Sequence, residues 1–460
     1  MSRRACAVLT LLLSAQLGAQ ERQRCTIDGA HQTNVKLPSE QYNTFMGGGV
    51  FANCPAKSLT LRADSLESYG DEGRIYFLGR VRYDEPRLAL TSDFLTYFQR
   101  DERTVANGNV NARLPNGSTL KGPVAEYLRA IPGSRPVPRL LATGRPAITI
   151  IQKDSAGNPT EPTTVLANSV SMVGDSLVYA GGSVVVTRQD VIARGDSMAL
   201  DSQRETTVML RGPSIEGRRD RPFTLSGERI ELTGRDRKLA RVIAKGTAKA
   251  VSEDLTLASD TIDLRIAQDL LQRAMAWGPA RAKATSPTQQ LLSDSIDVSM
   301  PGQRVREMHA VRRALAEGRP DSTRFKADTV DWMRGDTIVA RFDTVAAGDT
   351  SRTARMKELV AVGHAKSYYH LPPSDSLERR AAINYVVGKE IIVAFLNQRV
   401  SKVTVIEQAA GVYLEPRAVT AADSARARAT PVSPPASTPV PNRPNTRPPS
   451  PIPPAVRPPE

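Results

Sequence analysis

Aromatic residues are scarce in this chain of 460 residues: they make up 5%, with two tryptophans. That scarcity disfavours a large globular core built on bulky rings and suits a thin layered one. Past the first twenty residues no apolar run reaches 18, so no segment reads as a membrane-spanning helix. There are four histidines and three cysteines, which leaves little for a metal centre. The repeated carboxylates Asp260/Asp263, Asp294/Asp297 and Asp328/Asp331 sit three apart, and on a strand such pairs point to opposite faces. They lack the glycine spacing of calcium repeats. His364 and His370 show no acidic partner in sequence register and read as surface positions. Serines are many, but none sits in a nucleophile elbow, and no phosphate loop or dinucleotide fingerprint is present. The expectation is therefore a protein that is not an enzyme and carries no cofactor or metal. A formal charge of +14 fits either an anionic partner or simple solubility.

Met1–Ala19 reads as a processing segment. Arg3 and Arg4 precede the apolar stretch Ala5–Leu13, and small residues follow, which is the pattern of a secretory signal peptide. Its removal would lower the charge from +14 to +12. Cys6 precedes the apolar stretch and Cys25 lies beyond it, so neither occupies a lipoprotein-type position. A soluble exported protein is expected. Cys25 and Cys54 would then be the remaining pair, in a compartment that permits disulfides. A bridge between them would close a loop of about 30 residues and stabilise by roughly 3–4 kcal/mol on a chain-entropy argument. Two free thiols are the other reading. The lead-in, residues 20–57, reads as irregular.

What the sequence does have is a repeat. Ala258–Leu264 (A-S-D-T-I-D-L) recurs as Leu292–Val298 (L-S-D-S-I-D-V) and as Ala327–Trp332 (A-D-T-V-D-W). Weaker copies begin at Ala63, Ser92, Arg194 and Ser226. The first acids, Asp196, Glu228, Asp260, Asp294 and Asp328, step by 32, 32, 34 and 34. A fixed period of this size marks an array. A second marker, a glycine followed by a small or β-branched residue, recurs at Gly79, Gly108, Gly144, Gly181, Gly212, Gly246, Gly278 and Gly363. Residues alternate around both markers, as in Ile262/Leu264 and Val242/Ala244/Gly246/Ala248/Ala250. Such period-2 patterns bounded by turn residues predict half-buried strands, and a polar second face favours antiparallel pairing. Arg304–Leu315 has a helix-like composition, but its phase in the array predicts strand. Asn158–Pro162 and Gly348–Arg352 read as inserted loops.

The block Leu59–Lys121 carries Ala63-Asp64-Ser65-Leu66, Ser92-Asp93-Phe94-Leu95-Thr96-Tyr97 and Ala106-Asn107-Gly108-Asn109-Val110. In this the chain resembles the OstA-like (organic solvent tolerance, LptA-type) family of lipopolysaccharide transport proteins. The match is good over those residues and stays in phase through Leu414. The resemblance implies an all-β, elongated repeat β-jellyroll of two facing antiparallel sheets over residues 58–415, in the periplasm or beside the outer membrane. In the family the trough between the sheets shields lipopolysaccharide acyl chains. The corresponding inward positions here are Val81, Val110, Ala244, Ala248, Ala250, Ile262, Leu264, Ala280, Ala282 and Ile296. Burying an acyl chain is worth about 0.8 kcal/mol per CH₂, so an apolar trough needs no specific polar contact. The implied partners are lipopolysaccharide or a related glycolipid, other transport proteins stacked on an open edge strand, and further copies of this chain. No nucleic acid is implied.

The array departs from the family in being long, at nine or ten strand pairs, or on the order of 50 Å for ten layers at about 4.8 Å each. No outer-membrane barrel follows it, since the alternating segments and aromatic girdles of such barrels are missing. Residues 416–460 form a tail, with 13 prolines among the last 30 residues, a composition that favours extended or disordered chain. Two other architectures fit parts of the pattern: a closed β-repeat scaffold that holds no lipid, and a parallel β-helix acting at a surface or on polysaccharide.

Overall fold

The computed structural model describes residues 25–415, apart from 155, 190, 218–221, 254, 321–326, 328, 344–354, 372–380 and 397–398. The expected signal peptide, the Pro-rich tail, Asp328 and the whole 348–352 insertion lie outside the described residues. The chain divides into two units, Met1–Leu414 and Glu415–Glu460, and every strand belongs to the first.

That unit is all-β. Its 28 strands form one large sheet in which successive strands pair. The first group is β1 (Thr26–Lys36), β2 (Tyr42–Cys54), β3 (Leu59–Ala63), β4 (Ser65–Tyr69), β5 (Arg74–Glu85), β6 (Leu88–Phe98), β7 (Arg103–Arg113) and β8 (Thr119–Leu128). There follow β9 (Arg139–Thr143), β10 (Ala147–Ile150), β11 (Thr163–Leu166), β12 (Ser169–Val173), β13 (Leu177–Arg188), β14 (Val191–Asp201), β15 (Thr206–Leu210), β16 (Ser214–Gly217), β17 (Phe223–Ser226) and β18 (Arg229–Arg235). The longest strands come last: β19 (Lys238–Ser252), β20 (Thr256–Ala267), β21 (Leu270–Thr285), β22 (Gln289–Ser299), β23 (Glu307–Gly318), β24 (Asp331–Phe342), β25 (Met356–Leu371) and β26 (Ala382–Leu396), then β27 (Arg399–Ile406) and β28 (Ala410–Leu414). Every ladder among the named strands is antiparallel. This overturns the parallel β-helix alternative.

Six rungs consist of two collinear half-strands (β3/β4, β9/β10, β11/β12, β15/β16, β17/β18 and β27/β28), so the 28 strands make 22 rungs. At about 4.8 Å per rung the stack extends roughly 100 Å. The expected ten layers and 50 Å are corrected accordingly, because each strand of a pair forms its own rung.

Most full-length strands shift register at one place near their middle, as β5 does between Leu78 and Val81 and β25 between Val362 and Ala365. These shifts, and the breaks between half-strands, line up across the sheet and divide it into two arms. The first arm contains Arg74–Leu78 of β5 and the second contains Val81–Glu85. A bulge adds a residue to one strand and bends it, so the aligned bulges form a continuous bend. Both arms bury the same face. In β5 the buried residues are Ile75 and Phe77 before the bend, and Val81 and Tyr83 after it. The buried side chains of both arms form one hydrophobic cluster running the length of the stack.

Two expectations about local structure change. The lead-in is not irregular, since β1 and β2 form an antiparallel hairpin, tied by a disulfide between Cys25 and Cys54. Its first strand is exposed over nearly its whole length, so it carries no apolar alternation by which sequence could reveal it. Ala280 is not an inward residue. Gly278–Arg281 form the bulge of β21, with a register shift between Trp277 and Ala282, and Ala280 is exposed there.

Candidate functional site

The two sequence markers meet at the bend. In the clearest cases a glycine on one rung packs against an acid or amide on the preceding rung. A Cβ added at Gly79 would lie 2.4 Å from Asp64 Oδ2, and one at Gly108 would lie 2.4 Å from Asp93 Oδ2. The same approach joins Gly182 to Asn168, Gly246 to Glu228, Gly278 to Asp260 and Gly363 to Asp336. Gly108 also has φ +75°, and Asn109 after it has φ +47°, a left-handed pair that only glycine enters without cost at the first position. The residue after the glycine turns back onto the acid. Arg80 Nη2 donates to Asp64 Oδ1 at 2.7 Å, and Asn109 Nδ2 donates to Asp93 Oδ2 at 2.8 Å. The Arg80 guanidinium holds the Asp64 carboxyl below its ordinary range. His364, after Gly363, repeats the contact with Asp336 at 2.9 Å, while Arg211, before Gly212, and Arg313, at a corner with no glycine, reach Asp196 and Asp294 at 2.9 and 2.6 Å. The first acid of each repeat is thus a corner residue.

Two sequence readings are revised by this geometry. The corner acid of the copy after Asp294 is Asp336, in Arg334-Gly335-Asp336-Thr337-Ile338, so Ala327–Trp332 is not in phase with the other copies. His364 and His370 do have acidic partners: His364 Nδ1 lies 2.9 Å from Asp336 Oδ2, and His370 Nδ1 lies 2.7 Å from Asp331 Oδ1. The second acids are bound separately from the first. Asp263 is buried and accepts from Arg241 Nε at 2.9 Å and Nη2 at 2.7 Å, with Arg265 at 3.0 Å, while Asp297 pairs with Arg273. Among the described residues no three metal-ligating side chains cluster.

The inward residues follow from the alternation. Val81, Val110, Ala244, Ala248, Ile262, Leu264, Ala282 and Ile296 are buried on the common inner face, and Ala250 is half-buried there. The lining changes along the stack. Among the described residues the buried aromatic side chains, Phe77, Tyr83 and Tyr127, all lie at or before β8, while large aliphatic ones run the length of the stack, from Leu66 to Ile262, Ile296, Ile338 and Ile391. From β19 onward alanine is the commonest buried residue, with Ala248, Ala276, Ala282, Ala310, Ala340 and Ala361 each at most 2% exposed. Small side chains at that exposure mean that the inner face is covered closely. The enclosed cavity at Leu88, Leu114, Tyr127, Leu140 and Met172 is only ≈ 30 Å³, room for about one or two waters. A wider, open depression of ≈ 580 Å³ lies beside the β1 bulge, lined by Gly29, Gly49, Val50, Phe51, Arg62 and Ala63.

A feature the sequence did not reveal joins the arm ends remote from the bend. Glu85, ending β5 in the second arm, accepts from Tyr83 Oη at 3.0 Å and from Tyr127 and Arg129 at the first-arm end of β8. The Tyr83 and Tyr127 rings meet edge to face at 6.4 Å, and burial pushes both phenols up. Lys57, leading into the second-arm strand β3, donates to Tyr97 Oη of the first arm at 3.0 Å and pairs with Glu102. Burial opposes charge on Lys57 and Glu102, but their mutual contact and Tyr97 win, raising the lysine and lowering the carboxyl. Arg87–Asp175 at 3.6 Å and Arg237 Nε to the Lys153 carbonyl at 3.3 Å also cross between arms. Partners 40 or more residues apart leave no local signature in sequence.

Compared with family models and with curated proteins, the chain matches none.

Proposed function

We propose that the two arms face one another as a β-jellyroll and that the protein binds an amphipathic glycolipid, lipopolysaccharide or a relative, with its acyl chains between the arms. It acts by binding and not by catalysis, as a periplasmic bridge or accessory in outer-membrane assembly. The observation that carries this reading is the apolar inner face of β19–β25, where alanines such as Ala248, Ala276, Ala282 and Ala310 stand among Ile262, Leu264, Ile296 and Ile338 across both arms. Same-side burial in both arms and the polar contacts between their far ends support facing sheets. The corner motif supports the resemblance, since its two conserved-spacing markers turn out to be one structural unit. The edge strands β1 and β27/β28 are the places for partner proteins or further copies to stack, and Val412, Tyr413 and Leu414 of β28 are each more than half exposed.

The test is photo-crosslinking in cells, with a reactive analogue at Ala248 or Ala282 and, as outward controls, at Lys249, Ala280 or Lys283. Adducts bearing glycolipid at the inward positions alone are expected. Equal labelling of both sets, or protein adducts only, would overturn the trough. A closed, lipid-free scaffold is the second reading, favoured by the near-zero exposure of the inner alanines, and it predicts no lipid adduct anywhere.

A further inference from the structure

The outer side of the bend in the last third of the stack carries an organised amphipathic ridge. The residues just before the bend form one unbroken cross-strand row through Lys245, Thr261, Trp277, Ser295, Val311, Thr337, Val362, Glu390 and Ile406. Trp277, Val311, Val362 and Ile406 occupy alternate rungs and are 38–42% exposed. Extended upstream, the same row contains Phe94 and Leu210, so it accounts for six of the seventeen exposed large apolar residues among the described residues. The alternate-rung spacing of Trp277, Val311, Val362 and Ile406 follows the two-rung repeat, and in Trp277-Gly278 and Val362-Gly363 the residue stands directly before the corner glycine.

A second row runs just past the bend, through Lys249, Ala258, Lys283, Leu292, Leu315, Arg334, Lys366, Val387 and Ala410. It holds four exposed cations over nine rungs and no acid. None of Lys249, Lys283, Arg334 and Lys366 is in an ion pair among the described residues; Arg334 instead lies over the Trp332 ring at 4.9 Å. The carboxylates nearest the ridge are Asp260, Asp294, Asp336 and Glu390. Asp294 is bound by Arg313 and Asp336 by His364.

From these two rows we infer that the ridge docks on the surface of a bilayer with anionic headgroups. The exposed apolar groups stand two rungs apart, roughly 10 Å, with Ser295, Thr337 and Glu390 between them. That spacing makes separate anchors instead of the fully desolvated cluster at the centre of a protein interface. A fluid headgroup layer accepts separate anchors, and tryptophan sits well at that depth. The row of unpaired cations supplies the charge complement to lipid phosphates. The inference concerns the outer face and stands whether or not the interior holds lipid.

The experiment mixes the mature full-length chain with vesicles of phosphatidylcholine, with and without phosphatidylglycerol. Binding is read by flotation and by tryptophan emission. Expected are flotation with the anionic vesicles only, and a blue shift that disappears in Trp277→Ser while Trp332 remains. Each basic residue near an anionic surface contributes about fivefold in affinity. Lys249→Gln, Lys283→Gln, Arg334→Gln and Lys366→Gln combined should therefore weaken binding on the order of 10²–10³-fold. No binding to anionic vesicles, or binding that neither variant weakens, overturns the inference. The single Trp277→Ser change keeps the test valid should the quadruple variant fold poorly. Crosslinking at Ala248 should be unchanged in Trp277→Ser, which separates failure of the docking ridge from failure of the lipid-binding interior.

Discussion

Replacing Gly108 by alanine tests the corner as the unit of this fold. At φ +75° an L-residue costs roughly 1–2 kcal/mol. The new Cβ would also meet Asp93 at 2.4 Å from Oδ2 and 2.9 Å from Cβ. The side chain can swing, but its Cβ cannot move without the strand, so an overpacking cost of about 1–3 kcal/mol is added. The sum is about 2–5 kcal/mol. Gly212→Ala is the control, because Gly212 has φ +68° but nothing within 4 Å of the new atom, and it should cost only the backbone part. In a repeat array each rung senses chiefly its neighbours, so the damage should stay local. Hydrogen exchange resolved by peptide is the assay. Amides of β6 and β7 should exchange roughly 30- to 5,000-fold faster, while those of β25 and β26 keep their protection. Adding Asp93→Ala should recover part of the loss. Equal effects of Gly108→Ala and Gly212→Ala, or undiminished protection in β6 and β7, would refute the reasoning.

Cleaving the Cys25–Cys54 disulfide, with its separation of 29 residues, should destabilise the β1–β2 hairpin by roughly 3–4 kcal/mol on the chain-entropy argument; exchange of β1 amides with and without reductant measures it. The contact of Lys57, Tyr97 and Glu102 should respond to pH at both ends. Glu102 is depressed when folded, so its contribution is present above the ordinary 4.5 and is lost as pH falls through the lower folded value. Lys57 is raised, so its contribution is full below 10.5 and fades as pH rises through the higher folded value. Protection of the amides flanking Lys57 and Glu102 against hydrogen exchange, corrected for the intrinsic rate at each pH, should therefore hold at neutral pH and fall in acid below 4.5.

The repeat was legible because the corner demands the same residues every second rung: a glycine with positive φ, and a short polar residue that can stand against it. Strand alternation was legible for the same reason, since both arms bury one face. What failed did so where the bend interrupts alternation or where a partner is far along the chain. Ala280 continued the apolar pattern on paper, but the β21 bulge turns it out. Asp328 kept the 34-residue step, yet the stretch before β24 displaces the true corner to Asp336. The hairpin partner of β2 is polar on both faces and so looks irregular. Glu85 and Arg129 are 44 residues apart, and nothing near either one indicates the other.

The uneven interior bears on where a ligand enters. For an acyl chain to lie between the arms, side chains that now touch must part, and the cost scales with the apolar area exposed. Around β5–β8 that means uncovering Phe77, Tyr83, Leu90, Leu95 and Leu120, at about 1.5–3 kcal/mol for each large side chain, and also breaking the contacts of Glu85 with Tyr127 and Arg129. Around β19–β25 it means uncovering alanines such as Ala248, Ala276, Ala282 and Ala310, each closer to a single methyl at about 0.8 kcal/mol, along with aliphatic side chains such as Ile262, Ile296 and Ile338. A chain of ten methylenes returns about 8 kcal/mol on burial. That offsets the parting of several alanines and a few aliphatic side chains, but not of the aromatic rings of β5–β8 together with their polar clasp. A lipid that enters this molecule should therefore enter between Lys238 and Leu371, with the N-terminal rungs staying shut and holding the two arms in register.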